Sequence, residues 1–351
     1  MVGGRRIFFI HDLHQKYGPI VRLTPTEVSV SDLAAFKQIH AIGAAGYNKS
    51  SWYEDLTIFP RHSVFTMQTA KEHAARRKLF ARGFSKTSMI QNWEPVVAEK
   101  ARLCVERLAK EAKENGRTDL MKWWTFLATD TVGQIGFGES FHMLEQNGKP
   151  DYIRVLELAL VGNGIGAELP WVRAIGSRLP FKVMKEAFDA TPYILGYGQK
   201  AVDNAKAQDD SNNLMANVLK EAKQEDASID DLDVRVEATS LIFAGSGTTA
   251  NTLTFMMYAI LTRPDLQKKV EKECLQLPEG FTNAAMEKLP WLNAIMNETL
   301  RVYCAVPGSL PRVVPSGGAQ IAGYYMPEGT TVGTQAYTLH RLPEAFPNPH
   351  E

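Results

Sequence analysis

The sequence contains few of the features that mark secreted, membrane-spanning or nucleic-acid-binding proteins. Only three cysteines occur in 351 residues, and their spacing fits neither a disulfide framework nor a zinc site. Lysine plus arginine and aspartate plus glutamate number 39 each, so the overall charge favours neither a nucleic-acid partner nor an anionic membrane. The four apolar residues after Arg5 and Arg6 are too few for a signal-peptide core or a membrane span. These absences predict a globular protein in a compartment that need not be oxidising.

One uncharged run, residues 241–262, is long enough to cross a bilayer. It contains serine, threonine and asparagine side chains together with Gly245 and Gly247. Hydrophobic residues make up 44% of the chain, an ordinary value for a globular protein with a sizeable core. We therefore interpret the run as a buried helix and not as a membrane span.

Local patterns predict a mostly helical chain with a small sheet. Alternating apolar and polar residues predict a strand pair over 18–30, and short β runs recur around 319–326 and 330–334. Helical periodicity prevails between them, and Asp230 and Asp231 suit the start of the long uncharged helix. The predicted helix breaks or starts are Asn115–Gly116, Pro170, Pro180, Pro192 and Pro264. We predict one α-rich domain spanning residues 1–351.

The most informative motif lies inside the long predicted helix, where residues 244–249 read Ala-Gly-Ser-Gly-Thr-Thr. A glycine inside a helix costs about 1 kcal/mol relative to alanine, so some interaction must offset Gly245 and Gly247. One interpretation is tight helix packing, with the Thr248 hydroxyl bonded to the carbonyl of Ala244. The other is a local opening of the helix at which a ligand binds.

Two further pairs of residues have spacings that indicate a function only when other motifs accompany them. Glu298 and Arg301 form a Glu-x-x-Arg pair, a spacing that is common on helix surfaces. His73 and Arg77 are four residues apart on a basic helix predicted over residues 70–84 and therefore lie on one face. Taken alone, that helix is best interpreted as a solvated basic face.

Together and in this order, the motifs resemble the cytochrome P-450 haem monooxygenase family. The hexapeptide is similar to the central helix of the family, and residues 297–312 are similar to the Glu-x-x-Arg helix and following loop of fungal members of secondary metabolism. The resemblance spans about Leu13 to Glu351. It implies a cytochrome P-450 fold, mainly α with a minor β-sheet, incomplete at the C-terminus, with haem b (heme b) as cofactor.

The resemblance also implies roles for individual residues. Thr248 would hydrogen-bond the oxygen bound over the haem, and Thr249 would join it in a proton relay, because Gly247 stands where the family usually has an acid. Glu298 and Arg301 would be structural. The residues expected to bind the cofactor are His73, Arg77, Ala244, Gly245, Arg312 and His340; of these, His73, Arg77, Arg312 and His340 would contact the haem propionates. Four further basic residues would be available to an acidic electron-donating partner: Lys71, Arg76, Lys78 and Arg82.

No cysteine of this chain matches the iron ligand of the family, which lies in a glycine-rich Phe-x-x-Gly-x-Arg-x-Cys-x-Gly loop. Cys104 falls on the apolar face of a predicted helix and is interpreted as a core residue. Cys304 lacks the glycine-rich surroundings. We therefore expect no metal ligand in this chain, a truncation before the cysteine loop and no activity of the chain as it stands. Glu298 and Arg301 are expected to be partly unsatisfied.

The resemblance implies an NADPH–cytochrome P-450 reductase as electron donor and an apolar small-molecule substrate. Residues 59–65, the 155–200 region and Phe243 would line the substrate side. The expected location is the endoplasmic reticulum membrane surface, or the cytoplasm if the missing anchor is genuine. The alternative is a non-catalytic remnant or small-molecule-binding protein with a partial fold. A G-x-G-x-x-A run at 162–167 lacks a surrounding βαβ unit, so we do not interpret it as a nucleotide site.

Overall fold

A computed structural model describes residues 5–41, 46–57, 59–207, 213–225 and 227–350. In chain order the first elements are α1 (Arg6–Tyr17), β1 (Ile20–Thr24), β2 (Glu27–Val30), α2 (Leu33–His40), α3 (Trp52–Leu56), α4 (Ala70–Phe80), α5 (Lys86–Ser88), a π-helical turn (Met89–Trp93), α6 (Glu94–Asn115), α7 (Leu120–Phe137) and α8 (Met143–Gln146). They are followed by α9 (Asp151–Glu168), α10 (Pro170–Gly176), α11 (Lys182–Phe188), α12 (Thr191–Tyr197), α13 (Gln199–Lys206), α14 (Leu214–Gln224) and α15 (Asp231–Leu261). The last are α16 (Pro264–Cys274), α17 (Asn283–Met286), α18 (Pro290–Val302), β3 (Arg312–Val313), β4 (Ala319–Ile321), β5 (Tyr324–Met326), β6 (Thr331–Gly333) and α19 (Ala336–Leu339).

The chain divides into two compact units. The first, called the sheet unit below, comprises Met1–Thr57, Thr66–Ala74 and Arg301–Glu351. The second, called the helical unit, comprises Ile58–Phe65 and Ala75–Leu300. The predicted fold class, mainly α with a minor sheet, is confirmed. The single domain over 1–351 stays a prediction.

The sheet unit is built around a four-stranded sheet in the order β1-β2-β6-β3. β2 and β6 pair in parallel, with Val28 opposite Val332, and the other neighbours are antiparallel. Both of these valines are buried in the core of the unit. β4 and β5 form a separate hairpin whose turn residues Ala322 and Gly323 both have positive φ, as a tight two-residue hairpin turn requires. The strand pair predicted at 18–30 is confirmed as β1 and β2.

The helical unit is organised around α15, which packs along α7. Its N-terminus carries a capping box: the Asp230 carboxylate accepts from the Asp233 amide, and the Asp233 carboxylate accepts from the Asp230 amide. Pro264 begins α16, as predicted, because proline is tolerated in the first turn of a helix. The predicted break at Gly116 is confirmed by its left-handed backbone conformation at the end of α6.

The G-x-G-x-x-A run lies in the interior of α9 and not at a turn between a strand and a helix. Gly162 is buried there because α11 crosses closely: a Cβ at this position would lie 2.0 Å from the carbonyl oxygen of Ala187. Gly164 is exposed, and nothing lies within 4 Å of a Cβ built on it. The first glycine is therefore required by packing between helices, whereas the second is not.

These two glycines give a matched test of that packing. Gly162→Ala should lower the melting temperature strongly, because a methyl group cannot be accommodated against a backbone carbonyl without moving α11. Gly164→Ala should raise it, because alanine favours a helix interior over glycine by about 1 kcal/mol. Thermal unfolding followed by circular dichroism measures both changes. Equal effects of the two substitutions would contradict the close approach of α9 and α11.

Candidate functional site

The middle of α15 presents a face with few side-chain atoms. Buried residues of this helix are concentrated before Phe243, which is itself 47% exposed. Ala244, Gly247 and Thr249 are also exposed, and burial resumes at Ala250. The helix is continuous from Asp231 to Leu261, so the backbone is not opened at the hexapeptide. An apolar, small-residue stretch on a continuous helix is suited to the close approach of a flat ligand.

The two glycines of this stretch have different environments. A Cβ on Gly245 would lie 3.0 Å from Val132 Cγ2 on α7, so Gly245 serves tight packing between the two helices. A Cβ on Gly247 would have nothing within 4 Å, so packing does not explain this residue. Thr248 Oγ1 donates to the carbonyl oxygen of Ala244 at 2.5 Å. The packing interpretation therefore accounts for Gly245 and for the Thr248 rotamer, but not for Gly247.

The basic helix α4 is shorter than predicted, because it ends at Phe80 and not near residue 84. Thr69 and Glu72 form its N-terminal cap: the Glu72 amide donates to Thr69 Oγ1, which in turn donates to the Glu72 carboxylate. His73 is half-buried and Arg77 is exposed. Within the described part of the chain, Arg77 forms no ion pair. It is therefore available to an anionic ligand.

Three of the four residues assigned to an electron-donating partner are already paired within the helical unit. Lys78 pairs with Glu225, and Arg82 pairs with Glu221 at 3.0 Å. Arg76 is only 12% exposed and binds two carboxylates of α15. The prediction that Arg76 is available at the surface is therefore wrong.

These contacts of Arg76 belong to a cluster of five charged residues. Arg76 lies 3.1 Å from Asp233 Oδ1 and 3.2 Å from Glu237 Oε1. From the other side, Arg61 lies 2.7 Å from Asp230 and 3.2 Å from Asp233. Sequence reasoning missed this cluster. The available signal was two acids four residues apart, on one face of an otherwise apolar helix.

Glu237 is the most deeply buried member of the cluster, with 2% of its surface exposed. Burial raises the pKa of Glu237 to about 7, although the charge of Arg76 and the hydrogen bond from the Val64 amide act in the opposite direction. The Val64 amide lies 2.9 Å from Glu237 Oε1. A carboxyl group with this pKa changes its charge within the physiological pH range.

In the sheet unit, Arg301 connects the end of α18 to the last described residues. Its Nη1 donates to the carbonyl oxygens of His340 and Pro349, both at 2.8 Å, and its guanidinium lies over the Phe346 ring. The expectation that Arg301 is partly unsatisfied is therefore wrong. Glu298, in the helical unit, also has an interaction partner, and the expectation that it is partly unsatisfied stays a prediction.

Arg312 and His340, two of the residues predicted to bind the cofactor, differ in how well they suit an anion. Arg312 Nη1 donates to the carbonyl of Tyr47 at 3.3 Å, while its buried Nε has no hydrogen-bond partner among the described residues. His340 Nδ1 lies 3.0 Å from the carbonyl of Arg301. Burial lowers the pKa of His340, which favours the neutral ring with Nδ1 as donor. Arg312 therefore fits a carboxylate better than His340 does.

The cysteines show no arrangement that suits a metal ion. Cys104 is completely buried, its Sγ lies 3.6 Å from the Trp123 carbonyl, and burial raises its pKa to about 12. Burial also raises the pKa of Cys274. Cys304 donates to the carbonyl of Val306 at 3.3 Å. Among the residues with described positions, no group of three histidine, cysteine or acidic side chains could hold a metal ion.

No helix in the described ranges combines the length and the apolar character that a membrane span needs. The mostly helical architecture with a small sheet agrees with the fold class that the motifs implied. The sequence model of the family described as Cytochrome P-450 matches residues 3–351. This chain belongs to the cytochrome P-450 family.

Individual members support the same assignment. The chain is 37% identical to the cytochrome P-450 monooxygenase tazI of Aspergillus terreus, over 99% of this chain and 72% of that protein. It is also 37% identical to the monooxygenase cypX of Dothistroma septosporum, over 96% of this chain and 67% of that protein. The solved structure of retinoic acid-bound cyanobacterial CYP120A1 covers 99% of this chain, with a TM-score of 0.77 and 18% identity. The match spans 75% of the solved chain and, at this identity, supports the fold alone.

The raised pKa of Glu237 generates a prediction about stability. A carboxyl group whose pKa is higher in the folded state favours folding when protonated; this contribution is complete below about pH 4.5 and is lost as pH rises through about 7. Glu237→Gln removes the titration. The unfolding free energy of the variant relative to wild type should therefore rise between pH 5 and pH 8, by roughly 1–3 kcal/mol.

Urea unfolding at a series of pH values measures this difference. Glu221→Gln is the control, because Glu221 pairs with Arg82 nearer the surface. Its relative stability should not rise over the same pH range. A difference between wild type and Glu237→Gln that does not depend on pH would refute the assignment of a raised pKa to this carboxyl.

Proposed function

We propose that the protein is a haem-thiolate monooxygenase that inserts oxygen into an apolar small molecule of fungal secondary metabolism. The family assignment implies haem and a redox partner. The observation that carries the proposal beyond the family is the exposed stretch of α15, in which Gly247 leaves open space beside Thr248. The fungal monooxygenases named above support the substrate class. When bound, haem b supplies the activation of dioxygen.

Each of the two units contains an arginine whose chemistry suits a ligand carboxylate. Arg77 is exposed on α4 and forms no ion pair with any residue of known position. Arg312 has a buried Nε–H without a partner, which a ligand carboxylate would satisfy. We assign both residues to the haem propionates, together with His73. His340 would contribute through Nε2, because Nδ1 is engaged by the Arg301 carbonyl. Ala244 and Gly245 would lie beside the ring.

The Thr248 hydroxyl can act as a hydrogen-bond acceptor. Its only proton is directed at the Ala244 carbonyl, so the remaining lone pairs of Oγ1 can accept from a water molecule. The family's usual acid is replaced by Gly247, which leaves room for such a water. We propose that Thr248, Thr249 and water hold and pass the proton that the acid would otherwise handle.

We assign the iron ligand to none of the three cysteines in this chain. Cys104 is a core thiol with a strongly raised pKa, whereas a metal-binding thiolate needs a lowered one. The thiolate would come from the glycine-rich cysteine loop that the resemblance implies. Electrons would come from an NADPH–cytochrome P-450 reductase, with contact at the endoplasmic reticulum membrane surface. Glu298 and Arg301 would remain structural, and Arg301 binds the carbonyl of Pro349.

The decisive experiment compares the 351-residue chain with a version extended by a cysteine-loop segment. Both are loaded with haem, reduced and exposed to carbon monoxide. We expect the absorption band of a thiolate-ligated haem only in the extended protein. If the short chain shows this band and Cys304→Ser abolishes it, the assignment of the ligand is wrong. If neither protein shows the band but both bind apolar compounds, the chain is a small-molecule-binding protein.

Gly247→Leu tests the open space on α15 in the extended protein. Leucine favours a helix over glycine by roughly 1 kcal/mol, so thermal stability should be kept or raised while product formation per haem falls at least about tenfold. Gly245→Leu is the contrasting variant, because its side chain meets Val132 and should lower stability as well. Normal turnover by a stable Gly247→Leu protein would contradict a catalytic use of this space.

A further inference from the structure

A short segment of the helical unit is attached to α15 by the acidic residues at the start of that helix. Arg61 forms ion pairs with Asp230 and Asp233, at 2.7 and 3.2 Å. Three residues later, the backbone amide of Val64 donates to Glu237, with the two carboxylate oxygens at 2.9 and 3.2 Å. The segment is thus held at two points one helical turn apart. We call residues 61–65 the anchored segment.

The second of these attachments lies in a dry environment. Glu237 is 2% exposed, and its other partner, Arg76, comes from α4. A buried carboxyl group that loses a hydrogen-bond donor is left partly unsatisfied where water cannot replace the donor, so this attachment is costly to lose. The Arg61 attachment is more exposed and correspondingly weaker. Glu237 is therefore the main point that fixes the segment to α15.

Glu237, which binds the Val64 amide, lies on the same face of α15 as Ala244 and Thr248. Ala244 is seven residues after Glu237, and Thr248 is four residues after Ala244, so the three follow one stripe along the helix. At 1.5 Å per residue, Ala244 lies about 10 Å along the axis from Glu237. Phe65, directly after Val64, is 44% exposed, so a large aromatic ring is presented next to the attached amide.

We propose that Glu237 is a positioning residue: by fixing the anchored segment on α15, it determines how well the site next to Thr248 accepts bulky apolar ligands. This role rests on the proposed function, because it requires a ligand site on that face of α15. Glu237 itself does not contact the reacting atoms. Its effect is transmitted through the Val64 amide to the ring of Phe65.

The first test measures the attachment directly by amide hydrogen exchange of peptides that cover the anchored segment. Glu237→Gln should increase the exchange rate there about tenfold, because the hydrogen bond to Val64 and the ion pair to Arg76 are both weakened. Arg61→Gln, a surface change that leaves the buried charges intact, should produce a smaller increase. Asp130→Asn is the matched control, because Asp130 is also buried and binds two backbone amides, those of Met143 and Leu144.

The second test measures ligand selectivity in the haem-loaded protein carrying the cysteine loop. Imidazole and clotrimazole both bind a haem iron through an azole nitrogen, but only clotrimazole carries three aromatic rings that must fit the surrounding site. Glu237→Gln should weaken clotrimazole binding about tenfold relative to imidazole binding. A merely structural role would change the two dissociation constants in parallel. The Asp130→Asn control should keep their ratio.

The outcomes separate the inference from the proposed function. Faster exchange in Glu237→Gln with an unchanged ratio of dissociation constants overturns the selectivity role, and unchanged exchange overturns the attachment itself. If Glu237→Gln does not fold, Arg61→Gln is measured in its place. The inference is overturned if Arg61→Gln changes neither the amide exchange rate of the anchored segment nor the ratio of the two dissociation constants. If the wild-type protein binds neither azole, the proposed haem site has failed. The selectivity role then fails with it, while the exchange experiment still decides the attachment.

Discussion

The close packing of α15 against α7 is the constraint on which the helical unit depends. Gly245 allows the two helices to approach so closely that a Cβ would lie only 3.0 Å from Val132 Cγ2, and the aromatic and aliphatic core of the unit lies around this contact. Because one side of α15 is occupied in this way, Ala244 and Gly247 are left on an open face. The packing of α15 against α7 therefore determines both the position of the core and the surface on which the proposed ligand site lies.

Charge inside the helical unit is arranged to support this geometry. The first turns of α15 carry Asp230, Asp233 and Glu237, and arginines from two different segments neutralise them. Acidic residues at a helix N-terminus are also favoured by the helix dipole. The first turns of a mostly apolar helix thus form a network of ion pairs with two particular segments, those that carry Arg61 and Arg76.

Much of the fold could be predicted because its signals are local. The capping residues before α15, Pro264 at the start of α16 and the alternation at 18–30 each determine nearby backbone structure, and the structure has them where the sequence indicated. Arg76 was assigned wrongly because a basic helix does not reveal which arginine faces a distant carboxylate. The different environments of Gly245 and Gly247 could not be predicted for the same reason, because they depend on Val132, more than 100 residues away in the chain. The cofactor roles of His73, Arg77, Arg312 and His340 stay predictions.

The parallel pairing of β2 with β6 has a consequence for how the protein is made. Residues 27–29 pair with residues 331–333, so the central contact of the sheet joins the two ends of the chain. During synthesis, β2 leaves the ribosome long before its partner exists, whereas α15 and α7 are complete while the last strands are still untranslated. Contacts over such a sequence separation form slowly because the intervening loop must first be closed. β2 must therefore wait with one edge unpaired, and its charged residue Glu27 helps to keep this edge from pairing with other chains.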